Sequence, residues 1–152
     1  MYPIGSNTGR RTTGYTIVSS DYTTPKHSFD HHDYMTPKSA WEAIAHLIPK
    51  DKVIWEAFYG DGASGNFLQE LGFDVFHKPV NFFEANLGEI IVTNPPFSKS
   101  KEVMLRLKKL DKPFIVIMPS AKISTSYFRD AFMNCGLQII IPRKRIQFKK
   151  TC

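Results

Sequence analysis

Two hydrophobic periods alternate from residue 34 onward: short continuous apolar runs of strand length, and apolar residues spaced three and four apart. Thr36 and Pro37 suit the start of a helix, as N-cap and first helical residue. Trp41, Ile44, Ala45 and Ile48 then fall on one helical face, and Pro49 ends the segment. "KVIWEAF" (52–58) reads as a buried strand, "YGDGASG" (59–65) as a glycine-rich turn, "NFLQELG" (66–72) as a short helix closed by Gly72, and "FDVFH" (73–77) as a second strand. The alternation resumes with a strand in "EIIVTN", a helix over 99–110 with Val103, Leu107 and Leu110 on one side, and a strand in "KPFIVIMP". "STSYFRDAFMNCG" predicts a helix capped by Ser124 and terminated by Gly136, after which "LQIII" and "RIQF" flank a basic "PRKR" turn as an antiparallel hairpin.

Strand, glycine loop, helix, strand is half of a nucleotide-binding α/β unit, and the full alternation predicts a mostly parallel sheet with helices on both faces. About twelve residues separate the strand "FDVFH" from the strand "EIIVT", too few for a further strand and helix, so the sheet should be trimmed on that side. Residues 1–33 show neither period and read as a flexible or extended arm, leaving 34–152 as a single domain. The echo of "YTTPK" (22–26) in "YMTPK" (34–38) has no helical pattern after its first copy and is taken as coincidence.

Composition narrows the function classes. A chain of 152 residues, 42% hydrophobic and 22% charged, is about one globular domain. No apolar run approaches the roughly 18 residues of a membrane span, and the polar start predicts no signal peptide. Two cysteines, Cys135 and Cys152, make neither a metal-ligand spacing nor a disulfide framework, which fits a reducing, intracellular setting such as the cytoplasm or nucleus. The net charge of +6 favours a polyanionic partner, and "KSKEVMLRLKKLDK" with "PRKRIQFKK" concentrates the basic residues in the second half.

Ligands of such sheets sit beyond the carboxyl ends of the strands. There the chain places "EAFYGDG", in which Glu56 closes a strand and Gly60 and Gly62 let the backbone turn tightly. It also places "TNPPF", in which Asn94 is followed by Pro95 and Pro96, two residues with no N–H, so that a rigid set of acceptors precedes Phe97. Read in order, "YMTP", "EAFYGDG" and "NPPF" resemble the S-adenosylmethionine-dependent adenine-N6 DNA methyltransferases, and the final "RKRIQF" is similar to a segment of small phage and viral members. The likeness runs from about Tyr34 to Phe148.

The resemblance implies a Rossmann-like class I methyltransferase fold and transfer of a methyl group to the exocyclic N6 of a flipped adenine in DNA. It implies Asn94, Pro95, Pro96 and Phe97 as the catalytic set, with Phe97 stacking the base. Tyr34, Thr36, Pro37, Glu56, Phe58, Gly60 and Gly62 would hold S-adenosylmethionine, and Asn81 with Phe82 its adenine. Lys99, Lys101, Arg143, Lys144 and Arg145 would contact phosphates. The target sequence is not encoded in any of these, and only the N-terminal arm and the segment after residue 142 are left to touch DNA outside the pocket. No metal or membrane is implied.

The chain departs from the family where "VFHKPVNFFE" puts His77 and Lys78 in place of the acidic residue for the cofactor's ribose, and Asn81 in place of an aspartate. Weaker cofactor binding is expected, unless Glu84 substitutes. The chain also ends four residues after Phe148, so the family's last strand is expected to be missing, leaving the sheet edge trimmed or completed by another subunit, a homo- or hetero-oligomer. Three readings stand side by side: a DNA adenine methyltransferase, a weak or silent methyltransferase-like module that binds nucleic acid or a partner subunit, and a methyltransferase of RNA adenine or protein glutamine.

Overall fold

The computed structural model describes residues 15–20 and 34–150. In chain order these form β1 (Tyr15–Ser20), β2 (Tyr34–Met35), α1 (Lys38–Ile44), β3 (Ile54–Trp55), α2 (Ala63–Glu70), β4 (Val75–Phe76), β5 (Ile90–Thr93), α3 (Ser100–Leu110), β6 (Phe114–Pro119), α4 (Ser126–Phe132), β7 (Leu137–Ile140) and β8 (Lys149–Lys150). Among the described residues, six strands make one sheet in the order β4-β3-β5-β6-β1-β7, and every pairing in it is parallel. β2 and β8 pair antiparallel in a separate ribbon.

Parallel sheets need cover on both faces, because each crossover carries its helix to one face or the other. All four residues of β5 and all six of β6 are accordingly buried. Successive residues of β5 serve opposite faces. Ile91 packs with Val103, Met104, Leu107, Phe128 and Phe132 under α3 and α4. Ile90 and Val92 pack with Ala40, Trp41, Ile44 and Leu68 under α1 and α2. Each fully buried aliphatic side chain of this kind contributes about 1.5–3 kcal/mol. Trp41 joins the two helices of its face, its Nε1 donating to Ser64 Oγ at 3.2 Å.

The α/β class, the parallel sheet and the helices on both faces are as the sequence pattern predicts, and the sheet ends at β4 on the side expected to be short. Four local expectations are corrected. Thr36 does not cap α1: Pro37 is the N-cap, no side chain caps the helix, and the threonine hydroxyl is engaged elsewhere. α2 starts at Ala63 rather than after Gly65, so the glycine turn is shorter than expected. α4 starts after Thr125, while Ser124 Oγ donates to Ala121 O and closes a preceding 3-10 turn.

The fourth correction concerns the end of the chain. "LQIII" and "RIQF" do not form a hairpin: β7 pairs parallel with β1, and Ile146 is buried with the α1 and α2 cluster. Within the segment read as an arm, Tyr15–Ser20 is a strand lying between β6 and β7. The remainder of 1–33, including "YTTPK", lies outside the described residues.

β1 is registered against β6 over six residues and against β7 over four. Deleting residues 1–21 should therefore remove the only described strand pairing of β7. At about 2–4 °C per kcal/mol for a chain of this size, the midpoint of thermal unfolding should fall by about 10 °C or more. An unchanged midpoint would show that the sheet does not depend on this strand.

Candidate active site

The strand order reverses between β3 and β5, the position at which an open parallel sheet leaves a crevice beyond its strand ends. Glu56 follows β3, Thr93 ends β5, and Asn94 follows Thr93. Thr93 Oγ1 donates to Glu56 Oε1 at 2.5 Å, and the Phe58 N–H approaches the same oxygen at 3.4 Å. Asn94 Nδ2 donates to Thr36 Oγ1 at 2.9 Å. All four side chains, Thr36, Glu56, Thr93 and Asn94, are buried.

Two oxygens of this cluster are buried without a hydrogen-bond partner among the described residues, Glu56 Oε2 and Asn94 Oδ1. A buried polar atom left unsatisfied costs roughly 1–3 kcal/mol, so both atoms are open to a water or a ligand. In this arrangement the Asn94 Nδ2 donates to Thr36, and Oδ1 is the atom left to accept. Burial is the main cause that pushes the Glu56 carboxyl up from its ordinary range to about 8, opposed in part by the Thr93 hydrogen bond and the Phe58 N–H. Glu56 is therefore mostly protonated at neutral pH.

The glycine loop follows directly. Gly60 and Gly62 have φ of +58° and +83°, conformations that side-chain-bearing residues adopt at a cost. Gly62 is the N-cap of α2. Asp61 Oδ1 accepts from the Ala63 N–H at 2.9 Å, which tightens the turn. Further along α2, a Cβ on Gly65 would lie 2.2 Å from His77 Cγ. The His77 ring packs on the helix backbone there and stacks with Tyr59, the ring centroids 6.0 Å apart and the planes 16° from parallel. His77 is thus a packing element between the loop and β4, not an exposed polar contact.

A cavity of about 400 Å³ opens beside the loop, lined by residues 57–60, 80–83 and Pro96, Ser98 and Lys99. Its wall is aromatic. Phe82 lies 4.9 Å from Phe58, 5.5 Å from Trp55 and 5.3 Å from Phe83 between ring centroids, and the Lys99 ammonium stands 5.9 Å from the Phe83 centroid. Asn81 builds the turn that presents these rings. Its Oδ1 accepts from the Phe83 N–H at 3.0 Å, and its backbone carbonyl accepts from the Glu84 and Ala85 N–H groups. Arg106 holds the same turn by donating to Phe82 O and Ala85 O. Lys112 holds the following residues through Leu87 O and Gly88 O.

Of the residues expected from the sequence, Thr36, Glu56 and Asn94 meet in the buried cluster, with Pro95 buried beside them. Phe58, Gly60, Asn81, Phe82, Pro96 and Lys99 line the cavity. Gly62 and Pro37 serve as helix caps, and Phe97, half-buried, opens a 3-10 turn. Tyr34 contributes its backbone to β2. Lys101, Arg143, Lys144 and Arg145 are exposed and do not line the cavity. Sequence reasoning missed Thr93, Tyr59 and the two basic staples. Thr93 carried one signal, its place immediately before Asn94 at a buried strand end; Arg106 and Lys112 carried none beyond their charge.

No protein-family model matches the chain, and no curated protein or solved structure matches it either.

A carboxyl held up at about 8 stabilises the folded state only while it keeps its proton. The unfolded chain gives that proton up near 4.5, so stability falls as pH rises through the window from about 4.5 to about 8. Glu56→Gln removes the ionisable group and keeps the shape. Its thermal midpoint should therefore match or fall slightly below wild type at pH 5 and exceed it at pH 9. Equal differences at both pH values would show that Glu56 does not titrate in this window.

Proposed function

We propose that the chain is an S-adenosylmethionine-dependent methyltransferase acting on the exocyclic N6 of adenine in DNA. The observation that carries this reading is the Asn94 amide: buried at the end of β5, hydrogen-bonded to Thr36, with its carbonyl oxygen unpaired. An exocyclic amine conjugated to its ring is a poor nucleophile and needs placement more than a strong base. An acceptor locked in position meets that need.

The residues fit the cofactor on three counts: a glycine loop with positive φ at Gly60 and Gly62, an aromatic-walled cavity beside it, and the unpaired Glu56 Oε2, on the residue that follows β3 and precedes that loop. When bound, S-adenosylmethionine supplies a methyl group made electrophilic by the adjacent sulfonium. The protein's own groups do the rest. Asn94 Oδ1 and the Pro95 carbonyl accept from the two N6 hydrogens, which holds the amine in line and offsets the positive charge that develops on nitrogen. Pro96 fixes the backbone that carries Phe97, whose ring faces the flipped base, a contact worth about 1–3 kcal/mol. The proton released from the methylated amine leaves to solvent.

The net charge of +6 and the exposed Lys101, Arg143 and Lys144 support a nucleic-acid acceptor. One observation favours a second reading, a nucleic-acid-binding module with weak or no transfer: no carboxylate is among the side chains that line the cavity.

Radiolabelled S-adenosylmethionine incubated with DNA, RNA and protein in parallel separates these readings. Label should enter DNA adenine, and Asn94→Ala should reduce the rate by about 100-fold or more, the usual cost of deleting one such preorganised group. Equal label in wild type and variant would remove the catalytic reading, and label in the RNA or protein fraction would move the acceptor.

A further inference from the structure

β7 ends the sheet with a neighbour on one side. Among the described residues it pairs with β1 alone, so half of the backbone N–H and C=O groups along Leu137–Ile140 face away from the sheet. Soluble proteins protect such an edge with a charge, a proline or a bulge. "LQIII" has none of these: it is uncharged, the next proline is Pro142, and the register against β1 runs unbroken over four residues.

The apolar residues of this strand are also left uncovered. Ile139 is 45% exposed and Ile141 80% exposed, whereas Leu137 packs in part against the α3 and α4 cluster and Ile140 against the α1 and α2 cluster. By the two-residue period of a strand, Leu137, Ile139 and Ile141 share one face. Met133, 69% exposed, caps α4 at the Leu137 end of the same strand.

We propose that this edge binds a second copy of the chain: two β7 strands join antiparallel about a twofold axis at Ile139, and two sheets become one. The sequence is self-complementary in that register. Ile139 meets its own copy at the axis, and each Ile141 meets the Leu137 of the other copy, so every exposed isoleucine of the strand gains an aliphatic partner. The charges select the direction. Arg143 and Lys144, both exposed, follow the strand. Antiparallel pairing sets them at opposite ends, Arg143 roughly 25 Å from its copy and well beyond the Debye length of about 8 Å at physiological salt. Parallel pairing would set them side by side. A foreign strand would satisfy the same backbone groups, but it would not account for aliphatic residues placed symmetrically about Ile139.

Sedimentation equilibrium of the full chain over about a hundredfold range of concentration, reaching about 100 μM, should show the mass rising to twice that of one chain. Ile139→Lys, at an exposed position, sets like charges opposite each other at the axis and should weaken association about tenfold or more with the circular dichroism of the fold unchanged. The register has its own readout, in a chain carrying Cys135→Ser and Cys152→Ser. There Ile139→Cys should cross-link to a dimer on mild oxidation, its two α-carbons lying about 4.5–5.5 Å apart. Ile141→Cys, roughly 13 Å from its copy, should not. A chain that stays monomeric throughout, a dimer that Ile139→Lys leaves intact, or cross-linking at position 141 in place of 139 overturns the proposal. Dimerisation that appears only when residues 1–14 are deleted also overturns it, and assigns the edge to that segment.

Discussion

The arrangement at the centre of this fold is a pair of side-chain hydrogen bonds buried where β3 and β5 diverge. Thr93 donates to Glu56 and Asn94 donates to Thr36. Burying four polar side chains in one place costs free energy unless each finds partners, and here two oxygens do not. An apolar substitution at these positions would give a more economical core. The neighbouring elements are constrained by the polar set instead: the segment before α1 must come close enough for Thr36 to accept, and β3 must end where the Glu56 carboxyl meets Thr93. The crevice of an open parallel sheet supplies the space, and these two bonds determine which atoms face it.

The wall opposite is preorganised by different means. The residues linking β4 to β5 contain no helix, so their carbonyls need partners from outside, and the long side chains of Arg106 and Lys112 supply them. Removal from water lowers the Lys112 pKa, yet its ammonium still closes two carbonyls and stands 5.9 Å from the Trp55 ring. A wall stapled in this way can present Asn81 and the phenylalanines without being part of a regular element, so their positions do not depend on a ligand to order them. His77 shows the opposite solution: its ring is spent on packing against Gly65 and Tyr59, which takes it out of the polar edge of the cavity.

The sequence made the alternation of elements legible because strand and helix periods differ and both faces of a parallel sheet demand apolar runs. Glu56 and Asn94 were legible for a related reason: a polar residue directly after a buried apolar run marks a strand end, and strand ends converge in this architecture. Their partners were not. Thr36 before Pro37 has every local feature of a helix cap, and only a contact with a residue far along the chain diverts its hydroxyl to Asn94. Ser124 likewise competes between two turns, and the nearer carbonyl of Ala121 wins. The hairpin expected after residue 137 failed because turn chemistry decides a hairpin only when both arms lack better partners. β7 found one in β1, and Ile146 was drawn into the core between α1 and α2. "YTIVSS" was passed over because six residues with a brief β-branched run look alike in an arm and in the interior of a sheet.

That strand bears on the order in which the molecule can be assembled. Tyr15 pairs with Phe114 and with Leu137, partners roughly a hundred residues or more further along. Loop closure over such separations is slow, and among the described residues β1 pairs only with these two distant strands. The local units, α1 with α2 around β3 and α3 with α4 around β6, can form while β1 is still unplaced. On a ribosome the strand is made well before either partner, so the sheet stays open between β6 and β7 until synthesis has passed β7. β3 and β5, the strands that lead to Glu56 and Asn94, pair over a much shorter stretch of chain and can be in place before that closure, whereas β2, next to Thr36, waits for β8.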